Sequence, residues 1–341
     1  MLNSLVNAIS RIWAIWLLES EQWAVKDGSK ETQKAMKLLC KALQPYVRAS
    51  SVHVLNIMDY APGDPATSKV NMAMRAMCSQ TVTIDHVEVP NFDTVAAGFN
   101  AMCLLKQPHS HFPGLTLGYI NVAPIYNADQ VGNGEHKFLL LLLDNGVLVF
   151  APHAGANIHY LLPHVVAMYE FDFESEALLH PQGHKGQFRS WWWFTQVIGR
   201  LLKGDLSKIV GAWLKLSYVG SFSGGPGYIN LPQNPETQCA AIDNYGNLRF
   251  TMTADDVIAK GWKPDDLIQI LVDGTSGAVG IYSPTTNQPG ETICIRSGSN
   301  LISSAKSGII EYLDGFVIGG SAHQVIGSPC LKDVVITLQK V

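Results

Sequence analysis

Three short stretches place reactive or hydrogen-bonding side chains where a folded chain would present them to a ligand. Asp59 closes the apolar run VHVLNIMD and is followed by the Gly/Pro loop YAPGDPATS before helical periodicity resumes. In open α/β sheets ligands bind beyond the carboxyl ends of the strands, and a carboxylate there can accept both hydroxyls of a ribose at once. It can equally cap a turn or the next helix, and Asp64 in the same loop reads as a turn residue. In AIDNYGNLRF, Asp243, Tyr245 and Asn247 surround a tight turn at Gly246. The acid can take an ammonium group and the amide can both donate to and accept from an amino-acid head, or the stretch is an ordinary hairpin with a solvated acid. Gly319-Gly320-Ser321 follows a strand-like run and precedes a short helical one, so backbone groups there can approach a flat ring closely.

A fourth stretch is QFRSWWWF, residues 187–194. Three consecutive tryptophans sweep too far around a helix to share one buried face, so at least one must look elsewhere. Trp191, Phe194, Val197, Ile198, Leu201 and Leu202 recur at helical spacing, and Lys203-Gly204-Asp205 reads as a stop. Ser190 then occupies the N-cap position, where a hydroxyl and free backbone N–H groups either cap or favour an anion.

These stretches need elements to carry them. Residues 1–48 read as a helical extension: residues 2–18 are apolar but interrupted by Arg11, and SKETQKAMKLLCKALQPYV opens on a capping-box-like Ser29 and closes at Pro45. From residue 51 to 217, strand-like runs (VHVLNIMD, TVTIDHVEV, GLTLGYINVAP) alternate with helical ones (SKVNMAMRAMC, DTVAAGFNAMCLL), which predicts βαβ units and an α/β domain with a largely parallel sheet. KFLLLLLDNGVLVFAP predicts a hairpin about Asn145-Gly146, placed at a sheet edge. Residues 218–236, rich in Gly, Pro, Ser and Asn, read as a linker, and residues 237–341 as a smaller all-β, barrel-like domain.

Composition narrows the function. With 15% charged residues and a formal net charge of -4 there is no basic footprint for nucleic acid. The six cysteines show no CxxC pair, which points to a reduced, cytoplasmic setting. Residues 2–18 fall short of the roughly 20 residues that span a bilayer, so membrane association is the lesser expectation. No His-x-x-x-His with a carboxylate argues for a metal, GxSxG is absent, and SGGPG lacks the strand, helix and lysine of a phosphate loop.

Taken together, from Val52 to the C-terminus, the stretches resemble the S-adenosyl-L-methionine (SAM) hydroxide adenosyltransferases, whose halide-using members are the fluorinase and chlorinase. IMDY resembles the family's first-strand TDF, IDHVEVPNFDTVAAGF its D-x-T-H-x-V-P-x-F-D-x-x-x-G-A-F, and HFPGLTLGYI its F-P-x-G-T-V-x-x strand. DNGVLVFAPHAG resembles the stretch ending G-P-D-N-G, DNYGNL resembles D-x-F-G-N, and FVIGGSA resembles A-V-N-G-G-S-A. The resemblance implies an α/β domain and a β-barrel domain in a homotrimer, with SAM as co-substrate between one subunit's N-domain and its neighbour's C-domain, and no metal. A nucleophile attacks C5′ and L-methionine leaves. Carried over, Asp59 holds the ribose hydroxyls, Asp243 and Asn247 hold the methionine head with Tyr245 beside them, Gly319 and Gly320 meet the adenine, and Lys306 or Ser304 meets the methionine carboxylate.

The departures bear on the nucleophile. The resemblance places Asn121, in INVAP, where hydroxide users have an Asp, and Arg189 where they have a His; no Arg equivalent stands in IYNADQVG. Asn carries no negative charge and Arg is no base near neutral pH, so the water-activating triad is missing. Phe188 and Ser190 match the residues that border the halide in the fluorinase, whereas the halide users' Tyr is absent at Asn121. The expectation is an enzyme substituting at C5′ with halide or water, or a non-catalytic SAM- or adenosine-binding protein that has lost the triad.

Overall fold

The computed structural model describes residues 30–107, 115–123, 138–171, 189–204, 216–218, 238–283, 292–304, 308–329, 331 and 334–341. The expected linker past residue 218, the Ser29 cap and the apolar segment 2–18 lie outside them. In chain order the elements begin with α1 (Lys30–Arg48), β1 (Ser51–Met58), α2 (Pro65–Met77), β2 (Thr81–Glu88), α3 (Thr94–Leu105), β3 (Thr116–Asn121), β4 (Phe138–Leu143) and β5 (Leu148–Pro152). A 3-10 turn (His159–His164), β6 (Val165–Phe171), a π-helical turn (Ser190–Phe194), α4 (Thr195–Leu202) and β7 (Leu216–Tyr218) follow. The remainder is β8 (Cys239–Ile242), β9 (Leu248–Thr253), α5 (Ala254–Ala259), β10 (Leu267–Val272), β11 (Thr275–Tyr282), β12 (Ile293–Ser304), β13 (Gly308–Phe316), α6 (Ala322–Val325) and β14 (Ile336–Lys340). Together they make a two-unit α/β plus β fold, and no helix among the described residues is long and apolar enough to cross a membrane.

The first unit holds a seven-stranded sheet in the order β2-β1-β3-β5-β4-β6-β7. β2, β1, β3 and β5 run parallel, and β4, β6 and β7 continue antiparallel. The β4–β5 hairpin forms as expected, but it lies inside the sheet rather than at its edge, because β4 also pairs with β6 along its whole length. Its sequence explains why: FLLLLL is buried at every position, and a strand without polar alternation must be covered on both faces.

One face of this sheet carries α1, α2 and α4, whose apolar sides join a single core with Val52, Val54, Tyr119, Leu140, Phe150 and Phe171. α1 is therefore a core layer of the unit and not an appendage. It also runs past Pro45 to Arg48, because Tyr46 and Val47 in its last turn are buried and hold it. Tyr46 Oη donates to the Thr116 carbonyl of β3 (2.6 Å) and accepts from the Leu148 N–H of β5 (3.4 Å), so one phenol clasps two strands. Gln80 does the same from below: its Nε2 donates to the carbonyls of Tyr46 (3.0 Å) and Leu202 (2.6 Å), joining the ends of α1 and α4.

The second unit is a seven-stranded sheet in the order β14-β10-β11-β12-β13-β9-β8, curled until its edge strands meet through one antiparallel bridge, Gln238 to Thr337. Its core is built from Leu248, Phe250, Met252, Ile268, Ile270, Ile293, Ile295, Leu313 and Leu338. α3 belongs here too, although in the chain it joins β2 to β3 of the first unit. Phe99 packs edge-on against Tyr312 (5.5 Å between ring centres), Tyr312 Oη donates to Met102 Sδ (3.5 Å), and the Ser303 N–H donates to the Lys106 carbonyl (2.6 Å). The sequence-based span 51–217 for the α/β domain thus contains one helix that packs with the other unit.

Gln80 is 5% exposed and satisfies two helix-end carbonyls. Replacing it with Ala is expected to lower the unfolding free energy by about 1–3 kcal/mol, and Glu, which brings a charge and loses the donors, by more. Urea denaturation measures both; a Gln80→Glu midpoint equal to wild type would show that the clasp does not matter.

Candidate functional site

In the first unit, β1 is reached before β2 on one side of it and β3 on the other, so the strand order reverses between β1 and β3. Crevices at such reversals, beyond the carboxyl ends of parallel strands, are the usual ligand sites of open α/β sheets. Met58 and Asn121 are the last residues of β1 and β3 and are partners in the register. Asp59, half-buried, therefore emerges beside the end of β3, and Asn121 is 9% exposed. Asp64 is the N-cap of α2, its Oδ1 accepting from the Ala66 N–H at 2.6 Å, so the helix-capping role belongs to Asp64 and not to Asp59. Asn157 braces this edge, its Nδ2 donating to the carbonyls of Val122 (2.6 Å) and Pro152 (3.4 Å) after β3 and at the end of β5.

Tyr60 follows Asp59 and packs against the core. Burial, followed by the charges of Asp59 and Asp64, pushes its phenol above the usual tyrosine range, so it stays protonated and acts as a donor. Tyr119 is held still higher by complete burial, with Tyr60 adding to the effect, and its Oη donates to the Ser190 carbonyl at 3.4 Å.

Ser190 itself departs from expectation. Arg189 before it is already helical (φ -60, ψ -35), and Ser190 opens a π turn with no side-chain cap bond. An N-cap needs non-helical backbone, so Ser190 lies inside the helical run and the anion-friendly start expected there is not at Ser190. The wider turn also changes which tryptophan turns outward: Trp192, Trp193 and Phe194 are buried, whereas Trp191, expected on the apolar face, is 41% exposed. Lys69 of α2 places its Nζ 5.7 Å from the centre of the Trp191 ring, within cation–π range. A π turn merging into an α-helix disturbs the i→i−4 ladder, and side chains fill in: Thr195 Oγ1 donates to the Trp191 carbonyl and Gln196 Nε2 to that of Trp192. Arg189 and Ser190 are both buried. Phe188 lies outside the described residues.

In the second unit two of the expected stretches meet. The turn from Asp243 to Asn247 closes β8 to β9 with the Asp243 N–H on the Asn247 carbonyl (3.1 Å) and the Gly246 N–H on the Asp243 carbonyl (2.9 Å). Gly246 sits at φ +80, and a Cβ there would lie 1.9 Å from Ser321 Oγ. The His323 N–H donates to the Gly246 carbonyl (2.9 Å), and Ser321 caps α6 by accepting from the Gln324 N–H. The hairpin tip is thus seated on the Gly319-Gly320-Ser321 turn. Gly319 and Gly320 are exposed there, and Tyr245 projects outward at 80% exposure. Lys306 lies outside the described residues.

Asp243 is turned inward. Its Oδ1 accepts from the N–H groups of Tyr245 (2.9 Å) and Asn247 (3.0 Å), and its Oδ2 from Asn247 Nδ2 (2.9 Å). Arg249 Nη2 stands 3.6 Å from the same Oδ2. Arg249 was not among the expected site residues, although its signal was available: it is a basic residue two positions past Asn247, at the start of the strand that leaves the turn. Among the described residues no His/Cys/Asp/Glu group could hold a metal ion.

No protein-family model and no curated protein matches this sequence. Among solved structures the fold, a two-unit α/β plus β chain, is shared at TM-score 0.62 with an uncharacterized conserved protein from Thermotoga maritima (15% identity, 84% of this chain and 100% of that one). A conserved hypothetical protein from Thermus thermophilus is similar at TM-score 0.52 (17% identity, 84% of this chain and 99% of that one). At these identities the likeness is one of fold.

The seating of the hairpin predicts that Gly246→Ala destabilises the second unit by at least about 1–2 kcal/mol from backbone strain alone, with the steric clash added. In a double-mutant cycle, Ser321→Gly is expected to recover the clash part but not the strain. Additive effects in thermal melts would mean that the two turns do not touch.

Proposed function

We propose that the chain binds S-adenosyl-L-methionine and substitutes at its ribose C5′, releasing L-methionine and a 5′-substituted adenosine. The observation that carries this reading is the meeting of 243–247 with 319–321: the two stretches of the resemblance that should hold the methionine and adenine ends are seated on one another although distant in sequence. Support also comes from Asp59, beside Asn121 where the strand order reverses, a placement suited to a ribose.

In this reading Asp59 accepts the two ribose hydroxyls, Gly319 and Gly320 offer backbone to the adenine, and the hairpin with Asn247 and Tyr245 holds the methionine end. Fixing both ends reduces the entropic cost of aligning nucleophile, C5′ and sulfur in line. The bond from the nucleophile to C5′ forms as the C5′–S pair returns to sulfur, so the sulfonium leaves as a neutral thioether. A halide asks only for donors that replace its water, which Asn121, Ser190, the neutral Tyr60 phenol and the Arg189 guanidinium are able to supply. Water asks in addition for a base, and neither Asn nor Arg is one. The same lack of a base favours the second reading, a SAM- or adenosine-binding protein without turnover. The assembly that goes with the first reading is a homotrimer in which neighbours complete each site.

Incubation with SAM, with and without chloride or fluoride, followed by chromatography for methionine, adenosine and 5′-halo-5′-deoxyadenosine, separates the readings. Halide-dependent methionine release is expected, and Asp59→Ala should weaken SAM binding about tenfold or more, the loss of charge-assisted hydrogen bonds. Binding without cleavage under every condition leaves the non-catalytic reading. No binding by calorimetry sinks both.

A further inference from the structure

We infer that the hairpin carrying Asp243 and Asn247 reads the carboxylate of the ligand's amino-acid end, through Arg249, rather than its ammonium group. This deepens the SAM reading above and rests on it. A carboxylate offers roughly four lone-pair positions. On Asp243 three of them are met by hydrogen bonds from within the hairpin, two backbone N–H groups on Oδ1 at 2.9 and 3.0 Å and the Asn247 amide on Oδ2 at 2.9 Å, while the Arg249 guanidinium stands 3.6 Å from the same Oδ2. The acid is largely spent on shaping the turn, and an incoming ammonium group would have to share Oδ2 with the Asn247 amide against the like charge of the Arg249 guanidinium.

Arg249 is in the opposite position. Its guanidinium carries five N–H donors in a planar fork that suits a carboxylate. Its side chain is 30% exposed, and among the described residues its one close ionic contact is the 3.6 Å approach to Asp243, longer than a charge-assisted hydrogen bond of about 2.7–2.9 Å. Asp314 lies across from it in the β9–β13 pairing, but Asp314 also lies across from Arg296 in the β12–β13 pairing, so that acid stands between two arginines. Arg296 in turn rests on the Phe316 ring, 4.9 Å from its centre. The row across the strands is Arg296, Asp314 and Arg249, and Asp243 approaches the Arg249 guanidinium from the turn beyond β8. Of its members Arg249 has donors to spare, and it converges on Asp243 Oδ2 with Asn247, whose Nδ2 is committed to that oxygen and whose amide oxygen is the acceptor left over. The contacts open to an amino-acid end are therefore a charged fork for the carboxylate and one neutral acceptor for the amine.

Calorimetry on the full chain with SAM, decarboxylated SAM and the analogue lacking the α-amino group weighs the two ends. Loss of the carboxylate is expected to weaken binding about 30-fold and loss of the amine less than about 5-fold, the difference between a charge-assisted pair and a neutral hydrogen bond. In Arg249→Gln, SAM and decarboxylated SAM should bind alike. The ligand series on the unaltered protein stands without the variant, so a poorly folding Arg249→Gln leaves the test intact. A loss on removing the amine that equals or exceeds the loss on removing the carboxylate overturns the inference while SAM binding survives. Failure of all three ligands to bind the unaltered protein removes the SAM reading, and this inference with it.

Discussion

The first unit depends on one aromatic cluster. Phe138 of β4, Phe150 of β5 and Phe171 of β6 pack around Phe194, whose ring centre lies 4.0 Å from that of Phe138, with Trp193 (5.0 Å) and Tyr119 (5.4 Å) closing the group. Rings at such distances gain from edge-on and offset contacts as well as from area burial. Burying two neighbouring aromatics of one helix in the same cluster costs regular helical geometry, and the π turn is where that cost falls. The consequence is positional: the Ser190 carbonyl meets Tyr119 of β3, and Trp191 meets Lys69 of α2, next to rings that are locked in the core.

Much of the fold was legible, for a physical reason in each case. β1, β2, α2 and the β8–β9 hairpin carry the periodicity of their own type with turn residues at the ends. The position of the β4–β5 hairpin was misread because a tight turn specifies pairing but not what lies beyond the pair; the unbroken leucines were the better signal. β11 carries little strand signature because TSGAVGIY is short of large apolar residues. Its small residues serve close backbone approach instead: a Cβ on Gly280 would lie 2.8 Å from the Ile293 carbonyl of the neighbouring strand. α5 is too short to show helical periodicity, and its one local signal is the capping box of Thr253 and Asp256.

The candidate site was legible in its residue types and less so in their orientation. Asp59 and Asn121 lie at paired strand ends because both close apolar runs of one parallel sheet. Asp243 was expected to face a ligand, yet an acid that opens a turn is also the natural acceptor for that turn's N–H groups, and the local donors win because they are already at hydrogen-bonding distance. Residue type alone cannot distinguish an acid that shapes a loop from one that serves it. The Ser190 expectation failed differently, since periodicity arguments assume 3.6 residues per turn, and a π turn shifts the phase of everything before it.

The helix α3 leaves the first unit's sheet after β2, packs with the second unit, and returns to β3. Neither unit is a continuous piece of chain. During synthesis α3 emerges before every strand of the second unit, and its buried residues Phe99 and Met102 must wait for Tyr312 of β13. The parallel pairing of β3 with β1 likewise draws in chain from both sides of that helix. Vectorial, unit-by-unit folding is therefore closed to this topology: the second unit completes its core late, and until then an apolar helix stays unpartnered, a condition that favours aggregation or capture by a chaperone.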